Sequence, residues 1–303
     1  MNFERILVPV DFSPTSRDAL ALAASLARRT GGRLTLLHVG ATPTYSMTQA
    51  WSASMHMPIK ELQERMKRES QALVERWLQS DIPQGVEART VLREGFPPDE
   101  IVVEADDHDL VVIGTHGRTG ADRVVLGSVA ERVVRRCKVP VLVAPGVARD
   151  AGRRVDSPFE NVLVAIDFSE SSTRALRAGL AMARTTGAKL TLLHVGISEA
   201  VMVSQVWMDA LSPAVSELHD RMAREAQRQL DRLLHDEVPE PLRGQALMRE
   251  GIAASTIVQQ VSLGSYDLVV MGTHGHTGMQ RVILGSVAER VLRHSPVPVL
   301  VAR

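Results

Sequence analysis

The stretch DLVVIGTHG at residues 109–117 places a buried-looking strand directly before a glycine-containing turn, and Gly127-Ser128 follows after nine residues. The same pattern returns as DLVVMGTHG at residues 267–275, followed by Gly285-Ser286. A turn that leads into a helix start offers backbone N–H groups and the positive end of the helix to an anion. The two copies therefore predict two phosphate-binding sites, and nucleotide binding is the first hypothesis.

The sequence around this motif is repeated as well. RILVPVDFS (5–13) returns as NVLVAIDFS (161–169), and GGRLTLLHVG (31–40) returns as GAKLTLLHVG (187–196). The copies are offset by 156 residues before the glycine motif and by 158 residues from that motif onward. A period of this length indicates duplicated domains rather than a solenoid of short repeats.

The length of 303 residues agrees with two domains of roughly 150 residues each. We predict one domain over residues 1–146 and a second over residues 159–303. The segment between them, residues 147–158, is polar and contains glycine, proline and arginine, which is typical of a linker.

Each half alternates short apolar runs with helical segments. Ser13-Pro14 is a helix start signal and Gly31-Gly32 a stop signal. The apolar runs of the first half are 6–10, 34–39, 86–92, 110–113 and 139–143. Continuous Val/Ile/Leu runs separated by helices predict a parallel sheet covered on both faces. The expected fold class is α/β, with two tandem doubly wound, Rossmann-like domains that bind ligands beyond the carboxyl ends of their strands.

Composition narrows the classes of partner. Lys+Arg and Asp+Glu are balanced at 35 each, so no overall charge steers the chain to nucleic acid or to an anionic membrane. Aromatic residues make up only 3%, which disfavours a base-stacking platform for single-stranded nucleic acid. No apolar run approaches the ~18 residues of a membrane span, and no secretory signal is evident. The single cysteine, Cys137, favours a reducing compartment, so we expect a cytoplasmic protein.

An aspartate follows the first strand of each half, Asp11 in one and Asp167 in the other. Such a carboxylate can accept hydrogen bonds from a ribose hydroxyl or a base amine, or help to hold a metal. The alternative is a cap for the next helix, a role that Ser13 already fills, and the ligand interpretation is favoured. His38 and His194 end the second strands and are expected to lie partly buried beside the site.

Ser128 and Ser286 have two interpretations. Each stands three residues before a glutamate, Glu131 or Glu289, which is the spacing of a capping box. A serine at a helix start can also present its hydroxyl to a phosphate, and the two roles are compatible.

The residues of the turn differ between the copies. His116 and His274 lie inside it and are expected to act mainly through their backbone N–H groups. Arg118 in the first copy is replaced by His276 in the second. Arginine is always charged and can bind phosphate with two N–H groups, whereas histidine is mostly neutral at pH 7. The two sites are therefore predicted to be non-equivalent, although Arg118 could also be a solvated loop charge.

On these residues the chain resembles the universal stress protein family, in its ATP-binding branch and its tandem two-domain form. The resemblance covers residues 3–144 and 160–302. Its most specific element is Gly-x2-Gly-x9-Gly-Ser, followed by VAERV and the strand VPVLVA. It implies a five-stranded parallel sheet of order 3-2-1-4-5 in each half.

The resemblance also implies that each half binds ATP, with Mg²⁺ held mainly through the phosphates and no protein residue assigned to the metal. Adenine is then expected near Val10, Asp11 and the backbone of Val39. The ribose and phosphates are expected at Gly114, His116, Gly117, Arg118, Gly127, Ser128 and Val129. The second site would use Asp167, Val195, Gly272, His274, Gly275, Gly285, Ser286 and Val287.

The function that the resemblance implies is a nucleotide-dependent regulatory module for adaptation to stress. Family members associate through the last strand, here 139–143 and 297–301, so the two halves are expected to pair within one chain, and a homodimer is left open. Two alternatives also stay open: a slow ATP hydrolase or adenylyl-transferring enzyme on the same fold, and a nucleotide-free protein-interaction module. No residue is assigned a catalytic role.

Overall fold

In the computed structural model, the described residues are 2–41, 54, 58–115, 126–145, 159–196, 208–273 and 284–303. The chain divides into two compact units, one over Asn2–Ala148 and the other over Arg149–Arg303. The predicted linker, residues 147–158, lies outside the described residues.

The first unit is a parallel sheet with helices between its strands. Its elements are β1 (Arg5–Pro9), α1 (Pro14–Thr30), β2 (Arg33–Ala41), α2 (Ile59–Asp81), β3 (Glu87–Gly95), α3 (Pro97–Ala105), β4 (Leu110–Gly114), α4 (Ser128–Arg136) and β5 (Val141–Ala144). The strand order is β3-β2-β1-β4-β5, and every neighbouring pair is parallel.

The second unit repeats this arrangement. Its elements are β6 (Asn161–Ala165), α5 (Glu170–Thr186), β7 (Lys189–Gly196), α6 (Met208–Glu237), β8 (Arg243–Glu250), α7 (Ala253–Leu263), β9 (Leu268–Gly272), α8 (Ser286–His294) and β10 (Val299–Ala302). A 3₁₀ turn, Glu240–Leu242, leads into β8. The strand order is β8-β7-β6-β9-β10, again parallel throughout. The predicted fold class and strand order are confirmed.

The first helix of each unit begins and ends where the sequence signals predict. The Ser13 hydroxyl accepts a hydrogen bond from the backbone N–H of Ser16, and Ser169 caps α5 in the same way. Each helix ends at a glycine in the left-handed region, Gly31 with φ 65° and Gly187 with φ 78°. A side chain with a Cβ rarely adopts this conformation, so glycine stops the helix and turns the chain into the next strand.

The core of each unit lies on both faces of the central strands. Ile6, Leu7 and Val8 of β1 have no exposed surface, and Phe3 and Phe159 close the core just before β1 and β6. Burying a side chain of this size contributes roughly 1.5–3 kcal/mol, and consecutive buried residues are what a sheet covered on both faces requires.

Strand β3 is longer than the apolar run predicts. The run ends at Leu92, but β3 continues to Gly95, where it pairs with Ala41. Arg93 and Glu94 are exposed charges on a strand at the sheet edge. Backbone pairing with β2 therefore continues after the apolar pattern has stopped. The last strand begins at Val141 rather than at the predicted residue 139.

Opposite the carboxyl ends of the strands, an ion pair joins β1 to the start of β4. Asp109 accepts a hydrogen bond from the backbone N–H of Arg5 at 2.9 Å and from its guanidinium at 2.7 Å. Burial disfavours the charged carboxylate, but the hydrogen bonds from the Arg5 side chain and backbone outweigh it, so the pKa of Asp109 lies below its ordinary value. In the second unit Asp267 accepts backbone hydrogen bonds from Glu160 and Asn161.

We predict that Asp109→Asn lowers the melting temperature at pH 7 and that the difference from the unmodified chain narrows below about pH 4. A lowered pKa means that the carboxylate stabilises the fold above its unfolded-state pKa. This stabilisation is lost as the pH falls through the folded-state pKa. Thermal unfolding at several pH values measures the effect.

The matched control is Asp267→Asn, because the residue equivalent to Arg5 in that half is the uncharged Asn161. Its effect on the melting temperature should change less with pH. A penalty for Asp109→Asn that is the same at pH 7 and pH 3 would contradict the role of the ion pair.

Candidate functional site

A cavity of about 300 Å³ lies in the second unit, beyond the carboxyl ends of β6, β7 and β9 and beside the first turn of α8. In a doubly wound sheet this edge is where the strand order reverses, with β6 between β7 and β9. The residues that line the cavity are Ala165, Ile166, Asp167, Ser172, Leu193, Val195, Ala253, Ile257, Met271, Gly272, Thr273, Gly285, Ser286, Val287 and Ala288.

The cavity brings together six of the residues that the sequence analysis selected in the second half. They come from four separate segments and are Asp167, Val195, Gly272, Gly285, Ser286 and Val287. His274 and Gly275 lie outside the described residues. The sequence therefore selects residues from segments more than a hundred positions apart that line one cavity.

In the first unit the selected residues lie at the equivalent places of the equivalent elements. Val10 and Asp11 follow β1, Val39 lies near the end of β2, and Gly114 ends β4. Gly127, Ser128 and Val129 form the start of α4. His116, Gly117 and Arg118 lie outside the described residues.

Asp11 takes part in the turn that connects β1 to α1. Its Oδ1 accepts hydrogen bonds from the Ser13 backbone N–H at 3.1 Å and from the Ser13 hydroxyl at 2.6 Å. Asp167 and Ser169 repeat this pair at 3.0 and 2.5 Å. One carboxylate oxygen thus orders the helix cap, as the alternative interpretation holds. In the second unit the same aspartate also lines the cavity, so ordering the cap does not remove it from the cavity wall.

The residue after each aspartate has an unusual backbone conformation. Phe12 has φ 65° and Phe168 has φ 62°, a left-handed region that costs of order 1 kcal/mol or more for a residue with a Cβ. The ring of Phe12 packs on that of His38 with 4.6 Å between centroids, and Phe168 packs on His194 at 4.8 Å. These ring contacts compensate the backbone strain and hold the turn in place.

Both histidines are half-buried beside the site, as predicted. The Nδ1 atom of His38 lies 2.8 Å from the carbonyl oxygen of Val10, and that of His194 lies 2.7 Å from the carbonyl of Ile166. A carbonyl can only accept, so in each ring Nδ1 carries the hydrogen. The histidines therefore fix the backbone that precedes each aspartate.

The expected capping box at Ser128 and Ser286 is wrong. The N-caps are Gly127 and Gly285, both with extended backbone, and neither helix start has a side-chain cap hydrogen bond. Ser128 and Ser286 are instead the first residues of α4 and α8. The motif has the spacing of a capping box, but each helix starts one residue earlier than that motif requires, at the serine itself. Ser286 consequently contributes to the cavity wall rather than to a cap.

The first glycine of each motif is required by packing. A Cβ added at Gly114 would lie 2.9 Å from the backbone of Thr15, and one at Gly272 would lie 2.9 Å from the backbone of Ser171 and clash with its hydroxyl. Here the lack of a side chain lets the start of the first helix approach the end of the strand. Contact with the helix start therefore accounts for glycine at these two positions.

Several cavity residues were missed by the sequence analysis, chiefly Ala253 and Ile257 of α7 and Met271 of β9. Their apolar character does not distinguish them from core residues. A signal exists at Ile257, because the first half has Ile101 at the equivalent position of α3. The same isoleucine in both halves, on a helix that begins near the carboxyl edge of the sheet, could have identified Ile257 as a cavity residue.

The described parts of the chain contain neither a candidate membrane span nor a candidate metal centre. No helix among these residues combines the length and apolar character needed to cross a membrane. Nor do they contain a group of three or more His, Cys, Asp or Glu side chains placed to hold a metal ion.

The fold and the position of the cavity define a class: tandem doubly wound α/β proteins with a ligand crevice at the strand-order reversal. A model of the universal stress protein family matches residues 2–145 and 158–303. The chain belongs to the universal stress protein family and carries two of its domains in tandem.

Individual relatives agree with this assignment. A universal stress protein of Mycolicibacterium smegmatis is 28% identical over 303 residues, covering 98% of this chain and 96% of that protein. One from Mycobacterium tuberculosis is 31% identical over 213 residues, covering 68% of this chain and 66% of that protein. The crystal structure of a universal stress protein from Archaeoglobus fulgidus aligns with a TM-score of 0.71 and 22% identity, covering 100% of this chain and 97% of that one. This structural similarity supports the assignment of the fold.

We predict that Gly114→Ala and Gly272→Ala each destabilise the fold by about 1–3 kcal/mol, because the added methyl group clashes with the helix start. Urea unfolding measures the change. Gly40→Ala is the control. Gly40 lies on the same edge of the sheet, and the atom nearest to a Cβ added there would be the backbone oxygen of Arg93, 3.8 Å away. It should change stability by no more than about 0.5 kcal/mol. Equal effects at residues 40 and 114 would contradict the packing explanation.

Proposed function

We propose that the chain binds an adenine nucleotide in each half, with the base between β1 and β2, or β6 and β7, and the phosphates at the start of α4 or α8. The observation that supports this proposal is the cavity in the second unit. Asp167, Val195 and the Gly285-Ser286 helix start, selected for base, ribose and phosphate, all line it.

The composition of the cavity wall suits a nucleotide. Leu193, Val195, Ile257 and Met271 give an apolar surface for a flat base, whereas Ser286 and the start of α8 give hydroxyl and N–H donors for an anion. A volume of about 300 Å³ lies at the lower end of the range for small-molecule sites. The phosphates would then extend toward the helix start.

The helix start cannot supply most of the affinity. Its dipole contributes about 0.3–1 kcal/mol, up to ~2 kcal/mol in favourable geometry. Micromolar binding requires about 8 kcal/mol. Burial of the base against the apolar wall must therefore provide the larger part, at roughly 25 cal/mol per Å² of apolar surface.

Magnesium fits this arrangement as an ion carried by the phosphates. Among the described residues that line the cavity, Asp167 is the only carboxylate, and its Oδ1 already accepts two hydrogen bonds from Ser169. Mg²⁺ usually keeps several waters and binds through one or two carboxylates together with substrate phosphates. We assign it no further protein ligand.

The role that follows is a regulatory module whose surface depends on the bound nucleotide and which serves adaptation to stress. The phosphates at the start of α4 and α8 would lie next to the segments that follow β4 and β9. A change in phosphate number would then alter contacts at that edge of the sheet. In this proposal the nucleotide acts as a signal, and ATP turnover is a separate property to be measured.

We predict that equilibrium dialysis with Mg²⁺ and ATP gives two sites per chain, and that Asp11→Asn and Asp167→Asn each weaken one of them about 10-fold or more. Asparagine keeps the oxygen that accepts from the serine cap but loses the charge, and hydrogen bonds to a charged group are worth about 1.5–3 kcal/mol. Mass spectrometry of released ligand separates retained ATP from ADP formed by turnover.

Asp106→Ala is the control, since this exposed carboxylate follows α3, pairs with Lys138 and lies at the amino edge of its sheet, opposite the proposed site of that half. It should leave both sites unchanged. If the double variant D11N/D167N still binds two ATP with unaltered affinity, the proposed position of the nucleotide is wrong.

A further inference from the structure

Three residues that line the second-half cavity have counterparts of a different shape in the first half. The last residue of the first strand is Pro9 in the first half and Ala165 in the second. The first residue of the helix after the third strand is Pro97 or Ala253. In the fourth strand, Ile113 corresponds to Met271. All three second-half residues line the cavity.

Backbone equivalence makes these positions comparable. The residue before Pro97, Phe96, has φ −87° and ψ 112°, and Ile252 before Ala253 has φ −83° and ψ 113°. The two helices thus leave their strands in the same direction. The difference between the crevices at this place is the added proline ring.

Equivalent residues at the ends of the central strands are more buried in the first half than in the second. Pro9 is buried whereas Ala165 is half-buried, and Gly114 is buried whereas Gly272 is half-buried. Ala165 and Gly272 both line the cavity. The floor of the crevice is therefore more open in the second half than in the first.

Pairing of the central strands also differs. β6 pairs with β9 as far as Val164 and Val270, whereas β1 pairs with β4 only as far as Leu7 and Val111. Val10 donates its N–H to Leu37 of β2, so the preceding residue, Pro9, faces β4 and has no N–H to donate. Proline thus ends the ladder early and places its ring at the crevice floor.

From these differences we infer that the second-half site accepts adenine nucleotides with a bulky substituent on the base, and that the first-half site excludes them. This inference depends on the proposed nucleotide binding. Pro9, Pro97 and the β-branched Ile113 make a narrower and stiffer wall. Ala165 and Ala253 leave room, and the unbranched Met271 can adapt its shape to a larger ring system.

The test uses isothermal titration calorimetry of the full chain with ATP and with N6-benzyl-ATP, both with Mg²⁺. Each site is measured as the tighter of the two in the variant whose Asp→Asn change weakens the other: D11N for the second site and D167N for the first. The measured quantity is the ratio of the dissociation constant for N6-benzyl-ATP to that for ATP. We expect this ratio to be at least about 10-fold higher at the first site than at the second.

Exchange of the wall residues should transfer this preference. Pro9→Ala with Pro97→Ala should lower the ratio at the first site by about 10-fold or more. Ala253→Pro alone should raise it at the second site. Proline is favoured at the first position of a helix, so this variant is compatible with folding. Ser262→Ala, an exposed change on the same helix, is the control that should alter neither ratio.

Equal ratios at the two sites, or a higher ratio at the second, would overturn the inference while ATP binding at both sites preserves the proposed function. Ratios that do not move in the proline and alanine variants would also overturn it. If ATP itself binds in neither half, the proposed function fails and the inference fails with it.

Discussion

The sharp turn between the first strand and the first helix is the constraint on which each half of this protein depends. Phe12 and Phe168 adopt a left-handed backbone conformation there, and packing of their rings on His38 and His194 offsets the strain. The turn allows an aspartate to stay at the carboxyl edge while a serine two residues later caps the helix. Without it the strand could not pass directly into a helix and also present a carboxylate to the crevice.

The two halves share this turn but differ in the residues that surround it. The serine caps, the left-handed glycines that end the helices and the aspartate-serine pairs are the same in both halves. The wall of the crevice differs, with prolines in one half and alanines in the other. The shared residues determine the course of the backbone, whereas the residues that differ determine the shape of the crevice.

Much of the fold could be predicted because the apolar runs and the cap signals are local. Six residues of the second-half cavity were predictable because they lie at the carboxyl ends of strands or at the helix start that follows β9, and these places meet at one edge of the sheet. Three features were not. The capping box at Ser128 failed because Gly127, not the serine, is the N-cap. Strand β3 was too short in the prediction because edge pairing tolerates charged residues. Ala253 and Ile257 were missed because a cavity wall and a core have the same composition.

The ion pair between Arg5 and Asp109 lies at the amino ends of strands whose carboxyl ends form the crevice. A strand of five residues places roughly 16 Å between those two edges. Substitutions separated by more than about 7–10 Å, with no shared partner, usually have additive effects. Substitutions at the amino edge of a sheet can therefore change the stability in acid, and substitutions at its carboxyl edge can change the shape of the crevice, each with little effect on the other.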